Sequence, residues 1–182
     1  TISTVASPWE EDGASPDWMR FTHGFHWLRD LRAINGDVAR RYARQLTAEW
    51  LESYDNWHPY AWDPAITGER IVHWTSMHDF FLASADDNFR HAVFAALMQQ
   101  VRYLTHEANR SCTGSDTLPI LKGIIYGWIT LDPHNPGLWK AVDMVQEHLK
   151  TALLADGGHA SRNPAMQAEV VRDIIDIRNV LT

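Results

Sequence analysis

From Ser15 onward, apolar residues recur every three or four positions, the spacing of helices that bury one face. Ser15-Pro16-Asp17 puts proline in a first turn and an acid near the positive end of the helix dipole. It therefore opens a first helix that runs to about Ile34 and carries Trp18, Phe21, Phe25, Leu28 and Leu31. Asn35-Gly36-Asp37 breaks that helix and caps a second, Val38 to about Tyr54, with Val38, Tyr42, Leu46, Trp50 and Leu51 as its inner stripe. Thr67 caps a third, Gly68 to Ala83, with Ile71, Trp74, Phe81 and Leu82 inside. A fourth spans about Asp86 to Ala108 and keeps its period through Phe89, Val93, Leu97, Val101 and Leu104. The fifth covers roughly Leu118 to Leu131, with Pro119 tolerated in its first turn. Asn135-Pro136 opens a sixth through about Leu154, and the seventh runs from Pro164 to Leu181 with Val170, Val171, Ile174, Ile175 and Val180 apolar. No stretch has the two-residue alternation of a strand. About seven helices joined by short loops predict an all-α domain of antiparallel helical hairpins.

Three segments fall outside this pattern. Residues 1–14 are polar and broken by Pro8 and Gly13, an irregular arm before a single domain at 15–182. Asp55 to Pro64 holds two prolines and three aromatics, Trp57, Tyr60 and Trp62, so it either plugs the core or lines a groove, and packing is favoured. Ser111-Cys112-Thr113-Gly114-Ser115 is a short loop. The last helix ends at Leu181-Thr182 without a cap and the chain has no initiating Met, as expected of a piece of something longer.

Composition narrows the function classes. A hydrophobic share of 45% and a charged share of 21% are those of a globular chain. A formal charge of -7 argues against nucleic acid as a partner. No apolar run is long enough to span a bilayer, and the first residues lack a signal-peptide pattern, so a cytoplasmic location is slightly favoured over a periplasmic one. Cys112, the single cysteine, rules out an internal disulfide. His23 and His26 share a helical spacing without a third ligand, so neither a metal nor a cofactor is expected. Nine tryptophans offer flat faces on which sugar rings stack, although packing is the common role of such residues; Trp62 and Trp128 are the two candidates for substrate contact.

The densest chemistry lies at Leu154 to Pro164, Leu-Ala-Asp-Gly-Gly-His-Ala-Ser-Arg-Asn-Pro. Asp156 begins a turn, Gly157 and Gly158 permit positive φ, and His159 and Arg162 project from the loop. The competing reading is a plain connection, with the glycines ending one helix and Asn163-Pro164 starting the next.

Three stretches in order closely resemble the heparinase II/III-like family, in its poorly characterised bacterial branch. They are Phe21-Thr22-His23-Gly24-Phe25-His26-Trp27-Leu28-Arg29-Asp30-Leu31-Arg32-Ala33, then Thr67-Gly68-Glu69-Arg70, then Asp156-Gly157-Gly158-His159-Ala160-Ser161-Arg162-Asn163-Pro164. The resemblance implies the helical part of a polysaccharide lyase: an incomplete α/α toroid, followed in such proteins by a C-terminal β-sandwich absent from this chain. It implies β-elimination of a uronate-containing acidic polysaccharide, with that polymer and the β-sandwich as partners. The family's Asp-Gly turn is present at Asp156-Gly157, but no tyrosine follows it. The Asn-His pair usual before the preceding helix is replaced by about Thr117-Leu118. What the resemblance leaves is His159 as the catalytic candidate, base or neutraliser, with Arg162 and Asn163 as substrate-binding candidates. The alternative is a glycan-binding or protein-interaction module that keeps the fold without the chemistry. The chain alone is expected to be inactive, because catalytic groups act as a set held in geometry.

Overall fold

The computed structural model describes residues 9, 13–110, 114 and 116–182. Most of the arm expected at 1–14, and the loop around Cys112, lie outside them. Among the described residues the chain is all-helical, with nine helices and no strand. They are α1 (Pro16–His23), α2 (Trp27–Ile34), α3 (Gly36–Tyr54), α4 (Pro64–Ser76), α5 (His78–Phe81), α6 (Asp87–Arg110), α7 (Thr117–Leu131), α8 (Pro136–Ala152) and α9 (Pro164–Leu181). Four of them start on Pro, and at each of these a preceding Ser or Asn or Asp side chain accepts first-turn N–H groups.

The expected first helix is two helices, and the aromatic core is the reason. Phe25, fully buried, takes a left-handed φ of 60°, which ends α1. Its ring stacks on Trp9 and meets Trp50 and Trp74 edge-on. Reversing the backbone there frees the last carbonyls of α1, which need donors once buried. Three side chains supply them: Trp27 Nε1 donates to the Thr22 carbonyl, Arg70 Nη1 to that of His23, and His73 to that of Gly24, at 3.1, 3.0 and 2.8 Å.

The expected third helix also divides, into α4 and α5. Asp63, not Thr67, caps α4, its Oδ1 accepting from the N–H groups of Ala65 and Ile66. Thr67 instead lies buried inside the helix, its Oγ1 accepting from Arg70 Nη2 at 3.1 Å. On α3 the inner stripe is displaced from the expected one. Val38 and Tyr42 are exposed, while Ala39, Ala43, Leu46, Trp50 and Tyr54 are buried, so small residues face the neighbouring helices.

Helix α7 is the central element, packed by α4, α6, α8 and α9 and buried along most of its length. Its crossing with α4 is backbone against backbone. A Cβ on Gly123 would stand 2.5 Å from the Cα of Gly68, and one on Gly68 would stand 2.3 Å from the Pro119 carbonyl oxygen. Both sites therefore require glycine. Across the other side of α7, Lys122 reaches two acids of α9, Asp173 and Asp176, at 2.9 and 2.6 Å. Burial alone would lower the ammonium's pKa, but the two carboxylates outweigh it and hold the pKa raised.

Beneath the aromatic cluster sits Arg70, fully buried. Its guanidinium donates to the carbonyls of His23 and Ala61, to Gln100 Oε1 and to Thr67 Oγ1, and lies 4.2 Å from the ring centre of Trp50. No carboxylate pairs with it among the described residues, and burial lowers its pKa to about 9. It nevertheless remains charged at neutral pH and ties α1, α3, α4, α6 and the proline-rich loop together. Replacing Arg70 by Ala leaves those acceptors unsatisfied and opens a cavity. The expected loss is about 3–5 kcal/mol of unfolding free energy, read as a lower midpoint in urea; a change below about 1 kcal/mol would mean that Arg70 is not the tie described here.

Candidate functional site

The loop after α8 is a tight turn with a short antiparallel pairing at its base. Leu153 and His159 form an isolated bridge, Leu154 and Ala160 donate to the carbonyls of Gly158 and Ala152, and Gly157 donates to that of Leu154. Gly157 has a φ of 80°, which is why the turn needs glycine there. Asp156 caps the turn by accepting from the Gly158 N–H and binds Arg162 Nη1 at 2.6 Å across it. The guanidinium of Arg162 and the Gly158 N–H hold the Asp156 carboxyl below the usual range.

That turn forms one wall of a groove of about 920 Å³. Its other walls are the first turns of α7 (Thr117, Leu118 and Leu121), one face of α8 from Lys140 to Ala152, and Met166 and Val170 of α9. The floor is apolar and the rim polar, the usual make-up of a ligand site. His159 and Ser161 of the turn line it together with His148 and Thr117. Thr117 Oγ1 is buried and has no hydrogen-bond partner among the described residues.

The tautomer of His159 follows from its neighbours. The Ser161 backbone N–H donates to its Nδ1 at 3.1 Å, and the Ser161 hydroxyl lies 2.7 Å from the same atom. With Nδ1 accepting, the neutral ring carries its proton on Nε2. His159 in this tautomer therefore presents a hydrogen-bond donor at Nε2, suited to binding a carboxylate rather than to taking a proton.

The other expected site residues do not converge with it. Arg162 is exposed, held at a φ of 54° and engaged with Asp156. Asn163 is the N-cap of α9, its side-chain oxygen accepting from Ala165 N–H at 2.9 Å. Trp62 and Trp128 are 4% and 6% exposed. Their indole N–H groups donate to the Tyr54 carbonyl and to Thr105 Oγ1, so both rings are packing elements whose faces are covered. In the proline-rich loop it is Trp57 and Tyr60 that face outward. His148 is the group that sequence reasoning passed over. It is one histidine of ten on a helical run, and only its place one turn before the base of the hairpin marked it. No three His, Cys, Asp or Glu side chains gather as a metal site, and no helix is long and apolar enough to cross a membrane, among the described residues.

Comparison with known proteins adds one likeness. The chain is 29% identical over 173 residues to FtsZ-localized protein C of Caulobacter vibrioides. The alignment takes in 93% of this chain but 30% of that protein, so the chain spans under a third of the relative's length. No family model matches the sequence, and no solved structure matches.

Burial first, and the charge of His159 second, lower the pKa of His148 below its ordinary 6.5. Titration by NMR is expected to place His148 below 6.5 and to move it upward, still short of 6.5, in His159→Ala. An unmoved His148 in the variant would show that the two rings do not share the groove.

Proposed function

We propose that this chain is the helical part of a heparinase II/III-like protein, its hairpins forming part of an α/α toroid, and that the groove beside the 154–164 turn binds a uronate-bearing acidic polysaccharide. The observation that carries this reading is that His159, from the turn the resemblance singles out, and Thr117, where the family's Asn-His pair would stand, line the same groove. Two sequence stretches about forty residues apart reach one cavity large enough for sugar rings.

In β-elimination a proton leaves the carbon beside the carboxylate and a double bond forms to the next carbon. The bond from that carbon to the glycosidic oxygen breaks, and the oxygen gains a proton. His159, with its proton on Nε2, supplies a hydrogen bond to the carboxylate, and the proton for the leaving oxygen comes from a group outside this groove. The groove offers no tyrosine to take the first proton, since Tyr126 opens on a different cleft. On this reading the chain binds polymer, and turnover needs groups contributed by the rest of the protein.

A second reading is favoured by the relative whose name places it at FtsZ. Here the chain is a helical interaction module, and the apolar residues it leaves in solvent, Ile34 at the end of α2 with Val38 and Tyr42 one turn apart on α3, supply the contact.

The test is ultraviolet absorbance in the unsaturated-uronate band, with full-length protein on a panel of acidic polysaccharides and co-sedimentation of the same protein with FtsZ polymers. We expect a rise on at least one polymer that falls at least tenfold in His159→Ala. A flat trace and no polysaccharide binding, with co-sedimentation lost on Val38→Asp, would replace the first reading by the second.

A further inference from the structure

We propose that the proline-rich loop between α3 and α4 is a docking platform for an arginine-bearing segment of another protein, held by cation–π contacts to Trp57 and Tyr60. Neither aromatic lines the groove, so the platform is independent of the polysaccharide reading.

Trp57 and Tyr60 are 68% and 57% exposed, although the loop that carries them is pinned in place. Gln99 of α6 donates to the Asp55 carbonyl at 3.1 Å, and the N–H groups of Trp62 and Asp63 donate to the carbonyls of His58 and Tyr60 at 2.9 and 3.1 Å. The His58 ring packs edge-on against Tyr54, which is buried in the core. The indole N–H of Trp57 reaches the Tyr103 oxygen, and the Tyr103 hydroxyl donates onward to the Trp62 carbonyl at 2.8 Å. Trp57 thus spends its polar atom within the protein and leaves most of its ring in water. Trp139 on α8 is also 57% exposed, but its indole has no such anchor among the described residues. A large aromatic that is held in place and left uncovered has the character of an interface anchor.

Charge decides what covers it. From Gln45 to Gly68 the chain carries four acids, Glu49, Glu52, Asp55 and Asp63, and no lysine or arginine. Burial first, then the carboxylates of Glu107 and Asp63, hold the Tyr103 phenol above its ordinary pKa, which sets both acids near the Trp57 anchor. The basic residues on the neighbouring turns of α6 are Arg102 and Arg110, and Arg110 is paired with Glu107. Acids therefore outnumber cations around the loop, which repels polyanions and attracts positive charge. A guanidinium lies flat on an indole or phenol face and keeps its N–H groups for carboxylates at the rim. The core uses the same pairing, with Arg70 lying 4.2 Å from the ring centre of Trp50. One such contact at an exposed site is weak, so an extended segment with several arginines fits the platform better than a free small cation.

The experiment is NMR titration of the isotopically labelled chain with acetylated tetra-arginine amide, followed through the Trp57 indole signal and the backbone amides of residues 55–63. Tetra-arginine is expected to bind and to shift these signals, tetra-lysine to bind severalfold more weakly, and tetra-glutamate at least tenfold more weakly. Trp57→Ala should lose at least fivefold in affinity, while Trp139→Ala stays within twofold of the parent. Both side chains are exposed, and circular dichroism checks that each variant is folded. Absence of shifts at the loop, tetra-lysine or tetra-glutamate binding as tightly as tetra-arginine, Trp57→Ala within twofold of the parent, or an equal loss on Trp139→Ala would each overturn the proposal.

Discussion

The fold depends on one buried cation. Arg70 has no counter-ion among the described residues, and a lone charge out of water is costly unless every donor finds an acceptor. Four oxygens from four parts of the chain meet that demand, and the face of Trp50 covers the plane of the guanidinium. The same contacts explain why α1 stops where it does. Reversing the chain at Phe25 exposes three carbonyls, and Arg70 together with Trp27 and His73 converts them from a liability into the joint that orients α1 and α2 over α4.

With α4 fixed from one side, the glycine crossing sets α7 from the other. Gly68 and Gly123 let two backbones touch, which leaves the remaining faces of α7 to carry α6, α8 and α9. Two recesses result, one on each side of the α7–α9 seam. They hold histidines in opposite states of readiness. His159 has an accepting Nδ1 and so donates from Nε2, whereas His73 has a donating Nδ1 and so accepts at Nε2. Each tautomer is imposed by one backbone group whose role cannot change, an N–H in the first case and a carbonyl in the second.

How far the sequence could be read follows from where the controlling interactions lie. The helical period of α6, α7 and α9 reflects local burial, and the prolines with their Asn or Ser caps mark starts within a few residues. The break at Phe25 was not legible, because a fully buried aromatic in left-handed conformation is held by Trp9, Trp50 and Trp74 from distant stretches. The stripe on α3 was misplaced for a related reason: alanines at 39 and 43 face the neighbours while the larger Val38 and Tyr42 stay outside. At the site, the turn at 154–164 was legible from Asp156 and the glycines, and His159 with it. Arg162 and Asn163 are turn and cap residues, and Trp62 and Trp128 belong to the core, because their polar atoms are bound by partners that only the folded chain brings near. His148 reaches the groove through the α8 hairpin, which no spacing along the chain announces.

A helical frame built around Arg70 and α7 carries a groove with a donor histidine, for which we propose an acidic sugar as ligand. The most direct test is chemical-shift mapping of the isotopically labelled chain with a uronate oligosaccharide from alginate or heparan sulfate. The account predicts perturbations that include Thr117, His148 and the 157–161 turn. Shifts that spare all three, or that gather at Ile34, Val38 and Tyr42, would contradict it.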